Sequence, residues 1–230
     1  TVPAAARAGS RRPGTEEPLR APVARILAEA GIVPAVRVLS KATGKPLPAA
    51  EVHVFDAGGG VRVVGVTRNI NLGQTGIGGV EEADNSIFEK PEAVTLVFDG
   101  PVHVAEPRTG QSHGRVETLD ATLDPWTPTL LTLSAEAMAP IEAAGAIEGG
   151  RVTLTLGNPS PATTRTVRVD VADPSGGTLR HYGGNVLIQG GSARWVIPLA
   201  KNDPAGTYTV TCRDVLTGRT IHKSVDYRGE

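Results

Sequence analysis

The chain has 230 residues and a net charge of −1, because 23 lysines and arginines are balanced by 24 aspartates and glutamates. This balance predicts no basic surface for the phosphates of a nucleic acid, and no apolar run reaches the length of a membrane-spanning helix. A hydrophobic fraction of 40% is enough for the core of one large or two small domains without a metal or disulfide staple.

The N-terminal segment, residues 1–22, is rich in Ala, Arg, Pro and Gly and predicts a linker. The chain has no initiator methionine, so we do not expect Thr1 to be the start of the natural protein. A short helix is predicted over Val23–Ala30, with Val23, Ile26 and Leu27 on one apolar face and Gly31 as its terminating residue. Such a short helix must dock on a larger body, and these three residues are its predicted docking surface.

The next part of the chain predicts short strands separated by turns that contain Gly, Pro or Asp. With the short helix they form a predicted first β-sandwich over residues 23–135, and residues 71–92 form a long loop. The predicted strands are Val36–Leu39, Val52–Phe55, Val61–Ile70, Ala93–Phe98, Val102–Glu106, Val116–Leu123 and Thr129–Leu133.

The Ala-, Gly- and Glu-rich stretch 136–150 predicts an interdomain linker, and residues 151–230 predict a second sandwich with one dry face in each strand. Its inward positions are predicted by period-two alternation: Val152, Leu154, Leu156, Val167, Val169, Val171, Trp195, Ile197, Leu199, Tyr208, Val210 and Cys212. Because Cys212 is the only cysteine, it is predicted to be a buried, inert thiol. The predicted fold is all-β: two tandem antiparallel immunoglobulin-like β-sandwich domains preceded by a linker and one short helix.

Three segments carry a family resemblance: Leu27–Val38 (LAEAGIVPAVRV), Ala93–Leu133, and Ile197–Gly218 (IPLAKNDPAGTYTVTCRDVLTG). They resemble the β-rich C-terminal accessory region of bacterial β-galactosidase-like glycoside hydrolases. The resemblance implies a catalytic (β/α)₈ barrel elsewhere, because the family's catalytic carboxylates lie on that barrel. Strands here do not alternate with helices, so no catalytic residue is transferred to any position of this chain.

Other chemistry is weakly supported by residue spacing. The loop Gly73–Gly79 lacks the spacing and the following helix of a phosphate cradle. Carboxylates that could hold calcium lack its loop pattern, so solvated surface charge is the favoured interpretation of Glu81, Glu82, Asp84, Asp120 and Asp124. The five histidines lack the spacing of zinc ligands, so we predict neither a metal nor another cofactor.

Carbohydrate binding requires exposed aromatic rings, and aromatic residues make up only 3% of the chain. Trp195 and Tyr208 fall on inward positions, whereas Trp126 and Tyr182 lie in predicted loops or strand ends. Trp126 and Tyr182 are therefore the predicted ligand-facing rings.

Three functions remain open. The favoured hypothesis is a non-catalytic accessory module that packs on a neighbouring domain of the same polypeptide or forms a homo-oligomer. The alternative is a secreted carbohydrate-binding or adhesion module with a polysaccharide as its partner, and the third is a small hydrolase, which no residue spacing supports. The resemblance implies an extracellular or periplasmic location.

Overall fold

The computed structural model describes residues 17–68, 90–148 and 151–229, with side chains from residue 22 onward except that of Glu148. Within these ranges there is one α-helix, α1, over Glu17–Glu29. The strands are β1 Val36–Ser40, β2 Ala50–Gly58, β3 Val61–Arg68, β4 Glu92–Ala105, β5 Ser112–Leu123, β6 Thr129–Ser134, β7 Glu142–Glu148, β8 Arg151–Gly157, β9 Arg165–Ala172, β10 Gly184–Ile188, β11 Ser192–Pro198, β12 Gly206–Asp214 and β13 Thr220–Tyr227.

The prediction of an all-β, immunoglobulin-like fold is confirmed. The strands β1 to β6 form a six-stranded sheet in the order β1-β4-β6-β3-β2, with β5 paired to β4 beside this path. The strands β7 to β13 form a four-stranded sheet, β10-β9-β12-β13, and a three-stranded sheet, β11-β8-β7. Seven strands in two facing antiparallel sheets are typical of an immunoglobulin-like sandwich.

The sandwich core follows the predicted alternation. Side chains of β8, β9 and β12 fill one hydrophobic cluster with those of β10, β11 and β13. Each predicted inward residue on β8, β9 and β12 is at most 1% exposed, and Trp195 and Leu199 pack against the same cluster while Ile197 lies within it. A period of two therefore placed these side chains correctly, because successive side chains of a strand point to opposite faces.

β4 corrects one predicted boundary. Two strands were predicted, ending at Phe98 and restarting at Val102, but β4 runs without interruption over Glu92–Ala105. Its residues Val94–Phe98 pair with β1, and His103–Ala105 pair with β6. β1 and β6 thus pair with successive stretches of β4, and Pro101, which has no N–H to donate, lies between these two stretches.

The predicted domain limits also change. α1 begins at Glu17, so the predicted linker 1–22 is wrong over its last residues, and residues 1–16 lie outside the described part of the chain. The predicted linker 136–150 is wrong because β7 lies within it and pairs with β8 from Glu142 to Glu148. Its small side chains fit an edge strand beside the core, where Gly145 lies next to Val225. Ile141, directly before β7, is buried.

By density of contacts the chain divides into two compact units, and neither matches a single predicted domain. The first unit is drawn from Thr1–Val54, Val64–Pro101 and Val116–Leu130, and the second from Phe55–Val63, Val102–Arg115 and Leu131–Glu230. The second unit therefore contains the whole seven-stranded sandwich together with parts of the preceding strands, and the predicted limits of 135 and 151 do not separate the units.

Candidate functional site

The apolar residues of α1 are exposed. Val23, Ile26 and Leu27 are 50%, 59% and 40% exposed, so the predicted docking residues lie on an accessible face. The side chains of Arg25 and Glu29, four residues apart, form a solvent-exposed ion pair of 3.7 Å elsewhere on the helix. These three large aliphatic side chains expose apolar surface to water, and this exposure is unfavourable in free energy.

The helix ends in a fixed manner, as Gly31 predicts. Gly31 has a φ of +73°, its N–H donates to the carbonyl oxygen of Ala28, and the N–H of Ile32 donates to that of Leu27. This pair of bonds is the Schellman motif, which needs a left-handed residue at its turn. The motif leads directly into Ile32 and Val33, which are 56% and 70% exposed and extend the apolar surface. Ile32 and Val33 were not predicted as part of the docking surface because they follow the helix, where helical periodicity no longer applies.

Trp126 lies on the surface, as predicted, with 64% of its area exposed. The turn that carries it is held by Asp124, whose Oδ1 accepts the backbone N–H groups of Trp126 (2.8 Å) and Thr127 (2.7 Å). The bond to Trp126 and then that to Thr127 lower the pKa of the Asp124 carboxyl, so the carboxylate is ionised at neutral pH. The backbone beneath the indole ring is therefore held by two hydrogen bonds to one carboxylate.

Tyr182 is not a ligand-facing ring, and that prediction is wrong. The side chain is 8% exposed and belongs to the core of the second unit. Its hydroxyl donates to the Asp203 carboxylate and accepts the N–H of Ala200 at 3.2 Å. Burial, and then the Asp203 carboxylate, raise the pKa of Tyr182. The segment before β10 therefore directs the Tyr182 ring into the core, where its hydroxyl binds the loop after β11.

The carboxylates considered for calcium are engaged otherwise or lie outside the described residues. Asp120 accepts hydrogen bonds from Lys41 Nζ (2.7 Å) and Thr95 Oγ1 (2.8 Å), and these two bonds lower its pKa. Glu81, Glu82, Asp84 and the loop Gly73–Gly79 lie outside the described ranges. Within residues 17–68, 90–148 and 151–229, no group of three or more His, Cys, Asp or Glu side chains is arranged to hold a metal ion.

Cys212 has no solvent exposure and lies in the sandwich core as a free thiol. Burial raises its pKa to about 11. Because the thiolate is the reactive form, this side chain is unreactive at neutral pH. Among the helices of the described residues, none has the length and apolarity required to cross a membrane.

Comparisons with known proteins give likenesses to solved structures alone. No family model and no curated protein matches the chain. Among solved structures it is similar to the selenomethionine-substituted alpha chain of the chicken interferon gamma receptor, at 9% sequence identity and a TM-score of 0.31. This likeness covers 59% of the present chain and 92% of the receptor chain.

Proposed function

We propose that this protein is a non-catalytic β-sandwich module that docks through α1 on a neighbouring domain of the same polypeptide. The observation that carries the proposal is the exposure of Val23, Ile26 and Leu27 on a helix of 13 residues. A helix of that length is only marginally stable in water without tertiary packing, so burial of its apolar face on a partner would stabilise it.

The size of the apolar surface agrees with a docking role. Ile32 and Val33 continue it beyond the helix, so five aliphatic side chains at 40–70% exposure lie within eleven residues of sequence. Burial of one such side chain contributes roughly 1–2 kcal/mol. The resemblance of Leu27–Val38 to the entry of a glycoside-hydrolase accessory region supports a glycoside-hydrolase-like polypeptide as the source of the neighbouring domain.

Amide hydrogen exchange of α1 tests the proposal. It is measured in the 230-residue chain at low and high concentration, and in the protein as its gene encodes it. Slow exchange of α1 only in the gene-encoded protein supports docking on a neighbouring domain. If exchange in the 230-residue chain becomes slower as its concentration rises, the surface is assigned to a homo-oligomer instead. Fast exchange in all three samples contradicts any docking role.

A pair of variants separates the apolar face from the helix itself. Ile26→Asp places a charge on the apolar face and should restore fast exchange in the docked protein. Ala28→Asp adds the same charge about 200° away around the helix, beyond the apolar face, and should leave the protection unchanged. Equal loss of protection in both variants would mean that the charge unwinds α1, and the docking interpretation would fail.

Trp126 favours a second candidate function, the binding of a neutral glycan. An exposed indole on an ordered turn can stack on the apolar face of a sugar ring. Trp126→Ala should abolish a sugar-dependent change in tryptophan fluorescence. Trp195→Phe, which alters the partly buried tryptophan, should preserve the response. A panel of glycans that leaves the fluorescence of the parent protein unchanged would exclude this function.

A further inference from the structure

The outer face of the β11-β8-β7 sheet carries a groove lined by two arginines. In the antiparallel register Val196 pairs with Thr153, and Arg194 pairs with Thr155. Arg151 precedes Thr153 by two positions on β8, so Arg151, Thr153 and Arg194 share one face of the sheet. Together with Val196 they line a shallow groove of about 380 Å³.

The register places the two arginines four residues apart along the sheet, because Arg194 pairs with Thr155 and Arg151 pairs with Pro198. Arg194 Nη2 donates to Thr153 Oγ1 at 3.1 Å, so this guanidinium extends along the sheet toward the position of Arg151. Both guanidinium groups line the same groove, which therefore carries two positive charges. An anion bound in the groove would receive charge-assisted hydrogen bonds from both guanidinium groups.

These two arginines differ from Arg165 and Arg168 of the same unit, which each bind an aspartate, at 2.6 and 2.7 Å. Among the described side chains, neither Arg151 nor Arg194 forms a salt bridge with a carboxylate. The register pairs Arg151 with Glu148 on β7, so the test below includes a variant at that position.

We propose that this groove binds a carboxylate group of an acidic oligosaccharide. The planar fork of a guanidinium matches a carboxylate in bidentate geometry. Thr153 offers a hydroxyl to the sugar hydroxyls, and Val196, which is 42% exposed, offers an apolar contact for the ring. The groove contains no residue of α1 and does not contain Trp126, so failure of either earlier proposal leaves this one standing.

Trigalacturonate and its fully methyl-esterified form are the probes, because they share their sugar rings and differ in charge. Titration calorimetry should detect binding of trigalacturonate that weakens with added salt, and at least about tenfold weaker binding of the ester. Arg151→Ala and Arg194→Ala should each weaken binding about tenfold, and Arg194→Lys should recover only part of the loss. Glu148→Gln, which removes a negative charge from the position paired with Arg151, should strengthen binding.

Arg115→Ala is the matched control, since Arg115 is an exposed strand arginine outside the groove. Unchanged unfolding midpoints in all variants ensure that lost binding is local. The proposal is overturned if trigalacturonate does not bind at millimolar concentration, if the ester binds equally well, or if Arg115→Ala weakens binding as much as Arg194→Ala. Inorganic sulfate that binds as tightly as trigalacturonate would overturn the assignment to a sugar.

Discussion

Arg165 and Asp214 form an ion pair with no solvent exposure on either side chain, with 2.6 Å between Arg165 Nη1 and Asp214 Oδ2. The pair joins the start of β9 to the end of β12. Asp214 also accepts hydrogen bonds from Thr217 Oγ1 (2.7 Å) and the Leu216 N–H (3.1 Å), and Arg165 Nη2 donates to the Ala139 carbonyl oxygen at 2.9 Å. Two buried charges with this many partners hold the β12–β13 turn against the sandwich.

Asp214→Ala should lower the free energy of unfolding by about 3–5 kcal/mol, because it leaves the Arg165 guanidinium charged, buried and unpaired. Urea denaturation measures the loss. Asp170→Ala is the control: its pair with Arg168 is 2.7 Å long but roughly half exposed, so water screens the charge and the loss should be far smaller. The double variant Arg165→Met/Asp214→Leu should recover most of the stability, and equal losses in Asp214→Ala and the double variant would contradict the role of the pair.

Tyr182→Phe should lower the free energy of unfolding by about 1 kcal/mol, because the hydroxyl loses its bonds to Asp203 and Ala200. Tyr182→Ala should cost about 3–5 kcal/mol, since it also leaves a cavity in the core. A ligand-facing ring would give two small and similar losses. Urea denaturation of both variants distinguishes these cases.

Alkaline pH should weaken the fold through the buried phenols. The pKa of Tyr182 in the folded protein is raised above its ordinary value of 10.0, chiefly by burial, so the unfolded chain ionises first. The stabilising contribution is therefore complete below pH 10 and decreases as pH rises from there through the folded pKa. Tyr182→Phe should lose less stability than the parent as the pH rises above 10, while Tyr208, whose pKa burial also raises, titrates in both proteins. Identical pH profiles would contradict this assignment.

Gly218→Ala should destabilise the protein strongly. Gly218 has a φ of +71°, and an added Cβ would lie 2.5 Å from the Pro107 carbonyl oxygen. Gly176→Ala is the matched control, because Gly176 has a φ of +88° with open space around it. The control measures only the cost of a left-handed backbone for alanine, about 1–2 kcal/mol. Gly218→Ala should lower the free energy of unfolding by at least about 1 kcal/mol more than the control does. Equal thermal shifts would show that the Pro107 contact yields without cost.

Cys212 should react with a maleimide only after unfolding. Its side chain has no exposure, and burial raises its pKa to about 11. At pH 7.5 the native protein should stay unlabelled over hours, while the protein in concentrated urea is labelled within minutes. Mass spectrometry counts the label, and rapid labelling of the native state would contradict the placement of Cys212 in the core.

The amino-acid sequence by itself determined the all-β class and the inward side chains of β8, β9 and β12. Alternation with a period of two reports which face of a strand is dry, and a residue such as Val169 carries that information locally. The sequence signal for the end of α1 is also local, because Gly31 readily adopts the left-handed conformation with which this helix ends. Trp126 was placed on the surface by its flanking prolines and by Asp124.

Only the tertiary structure decided which segments complete a sheet. The Ala- and Gly-rich stretch of β7 has little strand propensity and is a strand because β8 offers an open edge beside the core. Tyr182 became a core residue because Asp203, 21 positions later, supplies a half-buried acceptor for its hydroxyl. The placement of Arg151 and Arg194 in one groove depends equally on register, since residues so distant in sequence line the same face only when β8 and β11 pair.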